Sequence, residues 1–364
     1  MNTNTPLYLD SLNGKKILIT GGCGTVGKVL VDILTSSNCR PEQIIVVDND
    51  EYKIFNFNLE FRHFDFINCF YVDVREFESL LEHCEDVDYL IHCAALKHVG
   101  ICETQPEQAV LTNIVGVQNI ISAAIKQNVK RVLFTSSDKA VNPTSVMGTT
   151  KLMGERLITA ANNRKAKTIF STTRFGNVIG SAGSVVEIFQ NQLNQNKKLT
   201  VTDKRMTRFL MTIKDAGILI LKSLFEMRGG EIFITKMGVA NIEHLAKAMH
   251  QIHYQNSNNI NNLEIEYIGH KIGEKLYEEL MTDEERPRAR ETDNFFVVLP
   301  NFSGLYNQDT VEYYNESLKV TKTYNSQNET LLDQNSIIEL LERMDTEKTE
   351  KHAQVSRTWP GDND

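Results

Sequence analysis

The chain has 364 residues, yet no tyrosine occurs between Tyr89 and Tyr254. That excludes a phenol as proton acceptor anywhere in this central stretch. No run approaches about 18 unbroken apolar residues, the length a spanning helix needs, so no membrane insertion is expected. The start, "MNTNTPLYLDSLNGKK", lacks the apolar run of a signal peptide. Positive charge is not in excess: the net charge is −8. This excludes a general binder of nucleic acid or anionic membrane, and leaves room for a local basic pocket around one phosphate group. No cysteine follows Cys102, and Cys23, Cys39, Cys69, Cys84, Cys93 and Cys102 lack disulfide-framework spacing. A reducing cytoplasm fits that usage. The "HC" pairs at 83–84 and 92–93 are too sparse for a zinc site, so no metal is expected. The first reads as a helix end, the second as a buried strand. There is no internal repeat.

What is present is an ordinary globular composition, 41% apolar and 24% charged, in a chain long enough for one large or two modest domains. Strands are expected at "KKILITGG" (15–22), "EQIIVVDND" (42–50), "CFYVDV" (69–74), "VDYLIHCAAL" (87–96), "KRVLFTSS" (130–137) and "KTIFSTTRFG" (167–176). They are apolar on both faces, as in a parallel sheet covered by helices. Helical segments alternate with them, such as "PEQAVLTNIVGVQNIISAAIKQN" (106–128) with Pro106 in its first turn. The expected fold is α/β, a Rossmann-like doubly wound parallel sheet with a smaller interleaved substrate domain. The expected division is a dinucleotide-binding domain over 1–177 that also receives part of 205–240, a substrate domain over 178–300, and a polar extension over 301–364. The extension carries one amphipathic helix, "NSIIELLERM" (335–344), and ends in a mobile tail.

"ITGGCGTVGKVL" follows the first strand and opens a helix. Gly21, Gly24 and Gly27 allow a tight turn and let a pyrophosphate approach the helix N-terminus. A glycine-rich turn alone is often only a turn. Here Asp48 ends the second strand 21 residues after Gly27, where an acid meets the adenosine ribose hydroxyls. Its neighbours Asn49, Asp50 and Glu51 form an acidic cluster that would repel a 2′-phosphate, so the expected cofactor is NAD. Asp73, which ends the third strand, is placed to reach adenine or to cap a helix. Thr20, Thr25, Val26 and Val74, with Ala94 and Ala95 at the end of the fourth strand, complete the expected cofactor wall.

"SSDK" sits at the C-terminal end of the fifth strand, where open parallel sheets bind ligands. Asp138 and Lys139 are an adjacent acid and base there, with Ser137 before them. In a nicotinamide enzyme of the short-chain type, a tyrosine is expected four residues before Lys151; the residue is Met147, and a thioether takes no proton. Phosphate needs cations, and Arg pairs phosphate oxygens in a bidentate manner. Arg174, Arg205 and Arg208 are the candidates, set against ordinary surface ion pairing. Lys97 in "AALKHV" reads as a substrate-side residue, and His98 as structural.

The blocks "TGGCGTVG", "HCAALKHV", "TNIVGVQN", "SSDKAVNPTSVMGTTK", "RFGNVIGSAGSV", "TDKRMTRF" and "GEKLYEEL" occur in that order. Together they resemble the extended short-chain dehydrogenases, and within them the nucleotide-sugar 4,6-dehydratases acting on UDP-N-acetylglucosamine. The likeness spans about 14–290. It implies that Ser137, Asp138 and Lys139 form the catalytic run and that Lys151 holds the nicotinamide ribose. It places Asn177, Arg205 and Arg208 near the nucleotide diphosphate, with Glu274 and Lys275 in a matching late motif. Members that invert C5 carry Tyr where Met147 stands; a retaining subgroup carries Met, so the expected type is retaining and the short soluble version. The resemblance further implies a homo-oligomer and a place in surface-glycan or amino-sugar synthesis.

In such a reaction the O4 proton leaves as C4 is oxidised, water is lost across C5–C6, and hydride and proton return to C6 and C5. Asp138 is the natural acid for O6, and Lys139, if desolvated and neutral, a base for C5. With Tyr absent, Asp138 is expected to start ionised, to take the O4 proton directly or through Ser137, and then to serve O6. Met147 would be a flexible apolar wall. The rivals are the same reaction on GDP-N-acetylglucosamine, a nucleotide-sugar 4-epimerase, and a non-catalytic NAD-binding regulator.

Overall fold

The computed structural model describes residues 6–164, 166–181, 183–255, 262–269, 273–301 and 308–354. Six parallel strands form its centre: β1 (Lys16–Thr20), β2 (Gln43–Asp48), β3 (Ile67–Tyr71), β4 (Tyr89–His92), β5 (Arg131–Ser137) and β6 (Ile169–Phe175). Their order is β3-β2-β1-β4-β5-β6, the doubly wound arrangement. Alternate residues point to opposite faces. Ile17 and Ile19 of β1 join one core with Val29, Leu30 and Ile220, whereas Leu18 joins the other with Leu90, Ile120 and Ile158. Helices on both sides cover the strands, which is why the strands read as continuous apolar runs.

Beyond β6 the sheet continues through Ile232–Thr235, parallel to it, then Phe295–Val298, Ala289–Glu291 and Leu318–Lys319, all antiparallel to their neighbours. A second layer carries the sheet Asn177–Val178, Thr207–Met211 and Gly238–Asn241, and the pair Leu199–Val201 with Ile265–Tyr267. The helices Val185–Asn194, Ile242–Tyr254 and Gln334–Gln354 pack there around Phe189, Leu245, Ile337 and Leu341. The stretch after 300, which reads as a polar extension, thus contributes a strand and core side chains. Ile337, Leu341 and Met344 are sparse but fall on one helix face, and all three are buried. The helix runs to Gln354, past the expected 344, and the rest of the expected tail, from 355 on, lies outside the described residues.

The segment 106–128 is not one uniform helix. It runs as Pro106–Val110, a π turn Leu111–Val115, and Gly116–Lys126. The wide turn faces Asn113 to the loop after β4, where its amide accepts from Leu96 N (2.8 Å) and donates to Leu96 O (3.0 Å) and Thr150 Oγ1 (2.9 Å). Such bulges concentrate at functional sites. Pro106–Lys126 is long and apolar enough to cross a membrane, with a mean hydropathy of 1.3. In the fold its apolar face is a core face: Val117, Ile120 and Ile121 are buried against β strands and the Phe77–His83 helix.

Candidate active site

The strand order reverses between β1 and β4, and ligands bind open α/β sheets at the crevice this creates. A cleft of about 1350 Å³ opens there. Gly21, Gly24, Thr25, Val26 and Gly27 form one end of its wall, with Asp48, Val74, Ala94 and Ala95. Gly27 cannot be replaced by a larger residue, because a Cβ would come within 2.3 Å of Gly22 Cα. The helix Thr25–Ser36 begins at Gly24 with no side-chain cap, so its first N–H groups are available to an anion. Asp48 accepts from Cys23 N at 3.2 Å and Asn49 N at 2.9 Å, and burial raises its carboxyl above the usual range despite those bonds. This end of the cleft could hold a dinucleotide.

Lys151 lies further along, 6% exposed, with Nζ donating to Thr135 O at 2.9 Å and sitting over the Phe134 ring. Burial pushes it down to about 8. Its helix, Val146–Ala161, starts at Ser145, whose Oγ accepts from Gly148 N. A Cβ at Gly148 would come within 2.2 Å of Lys139 O, so the bare backbone here lets the helix press against the Lys139 turn. Met147, one residue earlier, is 3% exposed and packs with Cys102, Ala109 and Leu96 while lining the cleft.

The acid–base groups lie at the end of β5. Ser137 Oγ donates to Asp138 Oδ1 at 2.6 Å. Lys139 Nζ reaches both Asp138 oxygens, at 3.2 and 3.1 Å, and stands 3.7 Å from Glu278 Oε1. Burial would raise the Asp138 carboxyl, but the Lys139 charge and the hydrogen bonds around it win and lower it. Burial would likewise lower Lys139, but the two carboxylates raise it. The neutral Lys139 expected as a base is therefore not its state in this geometry. The Asp138 anion beside it, with the Glu278 carboxyl behind, holds the proton on.

Glu278 is absent from the candidates read in the sequence. It is 5% exposed, stands with Asp138 around Lys139 Nζ, and pairs through Oε1 with Arg208 Nε at 3.2 Å. Burial and the Asp138 charge push it up to about 8. Only its place in "GEKLYEEL", four residues after Glu274, could have signalled it. Glu274 itself lies 3.5 Å from Arg208, with its Oε2 buried and unpartnered.

Eighteen of the residues read as functional line one cleft, among them Lys97, Asn177, Arg208 and Glu274; four do not. Thr20 is buried and bonds His92 Nδ1 at 2.6 Å. Asp73 is held by Arg75 and Asn49, and its Oδ1 also caps Arg75 N. Arg174, expected at phosphate, faces away: its guanidinium is 1% exposed and clamped between Glu155 and Glu285. Arg205 is a surface residue paired with Asp203 at 2.8 Å. Arg208 reaches the wall, but its fork is engaged by Thr207 O, Lys275 O and Glu278, so it braces the loop 274–278.

Residues 17–300 match the family described as "Polysaccharide biosynthesis protein". A UDP-N-acetylglucosamine 4,6-dehydratase (inverting) of Campylobacter jejuni is 40% identical over 295 residues, 79% of this chain and 84% of that protein. A UDP-glucose 4-epimerase of Rickettsia massiliae is 35% identical over 338 residues, 91% of this chain and 96% of that one. The X-ray structure of Pen from Bacillus thuringiensis is 38% identical, with a TM-score of 0.83 over 91% of this chain and 98% of that chain. In fold alone, a dTDP-glucose 4,6-dehydratase of Streptomyces venezuelae solved with NAD and DAU bound is similar, at 19% identity and TM-score 0.62 over 71% of this chain and 86% of that one.

Proposed function

The chain belongs to the polysaccharide biosynthesis protein family, and from that premise we propose that it is an NAD-dependent 4,6-dehydratase of a nucleotide-activated N-acetylglucosamine, UDP-linked before GDP-linked, that keeps the C5 configuration. The observation that carries the reading is the buried Asp138 paired with Lys139, which opens onto the cleft, at the end of β5, faced by Glu278 in a cleft whose other end fits a dinucleotide. The uncapped helix start, the bare Gly27 and the Asp48 carboxylate suit pyrophosphate and ribose, and Lys151 suits the nicotinamide ribose. The acids Asp48, Asp50 and Glu51 favour NAD over NADP. When bound, NAD accepts a hydride and returns it within one turnover, so the protein supplies positioning and proton transfers.

Asp138, held ionised, takes the O4 proton through Ser137 or directly, and then gives it to O6. Met147 cannot take part and forms an apolar wall. Lys139 begins as an ammonium and stabilises negative charge developing on the sugar. It serves at C5 only after Asp138 is neutralised and the ammonium has passed a proton to water in the open cleft; it then takes the C5 proton as an amine and returns a proton to C5. Once that anion is gone, burial and Arg208 act on Lys139 in the direction of the amine.

The proposed domain roles follow the chain. Residues 1–177 with the strand at 232–235 hold the cofactor. Residues 178–300 hold the sugar nucleotide, and the part beyond 300 braces the loop 274–280. A second reading, 4-epimerase, is favoured by the longer coverage of the Rickettsia relative. One experiment separates them: incubation with UDP- and GDP-N-acetylglucosamine in deuterated water, followed by NMR. Dehydration gives a 4-keto-6-deoxy sugar with solvent deuterium at C5 and retained configuration. A product that keeps its 6-hydroxyl refutes dehydration. An inverted C5, the outcome named for the Campylobacter relative, refutes the inference from Met147.

A further inference from the structure

Resting on the reading that Asp138 exchanges protons with the sugar, we propose that Glu278 and Asp138 form a two-carboxyl unit sharing one proton, held at rest on Glu278. Glu278 is thus a positioning residue: as a neutral acid it donates to the Asp138 carboxylate, keeping that group ionised and turned to the cleft.

Three observations bring this about. Glu278 and Asp138 are both buried and flank one ammonium, Lys139 Nζ, at 3.7 and 3.1 Å. Two buried carboxyls that share one cation favour a proton on one of them. The charged groups facing Glu278 are Asp138 and Lys139 from the turn after β5, Arg208 from Thr207–Met211, and Glu274 on its own loop, which draws on the same Arg208. The local cations therefore do not balance three carboxylates, and Glu278, farther from Lys139 Nζ (3.7 Å) than Asp138 is (3.1 Å), is the natural place for a proton. Finally, Glu278 is fixed from behind. Its Oε2 accepts from Phe209 N at 3.3 Å, and its backbone N donates to Ser326 Oγ at 2.9 Å, which is bonded in turn to Thr207 Oγ1 at 2.8 Å. Nothing in that backing is charged, so its role is placement.

When Asp138 takes the O4 proton, both carboxyls are neutral. When it gives that proton to O6, the unit returns to one proton, and its own proton count closes. The raised affinity of Glu278 for its proton, to about 8, sets the sign. The active form is lost as pH rises through about 8.

Two measurements test this. Infrared spectra of the full-length protein, with and without ¹³C-carboxyl glutamate, read the protonation state without substrate. A carboxylic-acid band at pH 7 that shifts with the glutamate label, disappears above about pH 8, and is missing in Glu278→Gln is expected. A band that shifts only with labelled aspartate, or no band, overturns the assignment. In turnover, Glu278→Leu should lower kcat about 10²-fold, and Glu278→Gln, whose amide can still donate, should recover at least tenfold and lose the alkaline limb. Gln as poor as Leu, or an unmoved alkaline limb, overturns the positioning role. A labelled band without product from either sugar nucleotide keeps the shared proton and removes the dehydratase reading instead.

Discussion

Two buried clusters of charge lie on the same side of the molecule and differ in completeness. Arg174 donates all five of its N–H groups, to both oxygens of Glu155, both oxygens of Glu285 and the carbonyl of Leu280, with distances of 2.6–3.1 Å. It has no reach left for a ligand. Lys139 faces two carboxylates, is 38% exposed, and opens onto the cleft. Burial with full pairing is architecture; burial with one proton too few and an open side is a place for chemistry. The two arginines make the link. Arg174 grips Leu280 and Glu285, and Arg208 grips Lys275 and Glu278, so one loop is anchored at one end and set beside Lys139 at the other.

The largest effect should come from opening the active cluster. Asp138→Asn keeps shape and some hydrogen bonding but cannot accept a proton, so product formation should fall on the order of 10²–10⁴-fold, with stability near wild type. Turnover within tenfold of wild type would move the proton transfers to Ser137 or an ordered water.

Breaking the closed cluster should do the reverse. Arg174→Met leaves two uncompensated buried carboxylates and should cost about 3–5 kcal/mol in urea unfolding. Its pH dependence sharpens the contrast. Burial alone would raise Glu285, but Arg174 holds it down to about 2. A depressed carboxyl stabilises the fold above its unfolded value near 4.5 and loses that contribution as pH falls through about 2. Wild type should therefore lose on the order of 3 kcal/mol between those limits, and Arg174→Met should lose much less. Equal acid sensitivity in both would mean the triad does not hold Glu285. The smallest effect belongs to Met147→Leu, which conserves volume and apolar character. It should keep most activity in the same product assay, and a variant as inactive as Asp138→Asn would give the thioether a role beyond a wall.

The parallel sheet was legible because its signal is local: apolar runs of strand length, separated by helices and opened by a glycine turn, admit few other folds. The end of β5 was legible for the same reason, since Ser137, Asp138 and Lys139 are neighbours in the chain. Glu278 was not, because it follows Lys139 by more than a hundred residues and looks like any acid in a charged loop. Arg174 and Arg208 read alike as cations, and only the partners folded around them separate the buried brace from the residue on the wall. The segment after 300 looked polar because its few apolar side chains are spread along the sequence, and they become a face only when a helix gathers them. Residue types and strand order are written in the chain; the state of a proton is set by the charges that folding brings within a few ångströms, and at Lys139 that decided the ammonium over the amine.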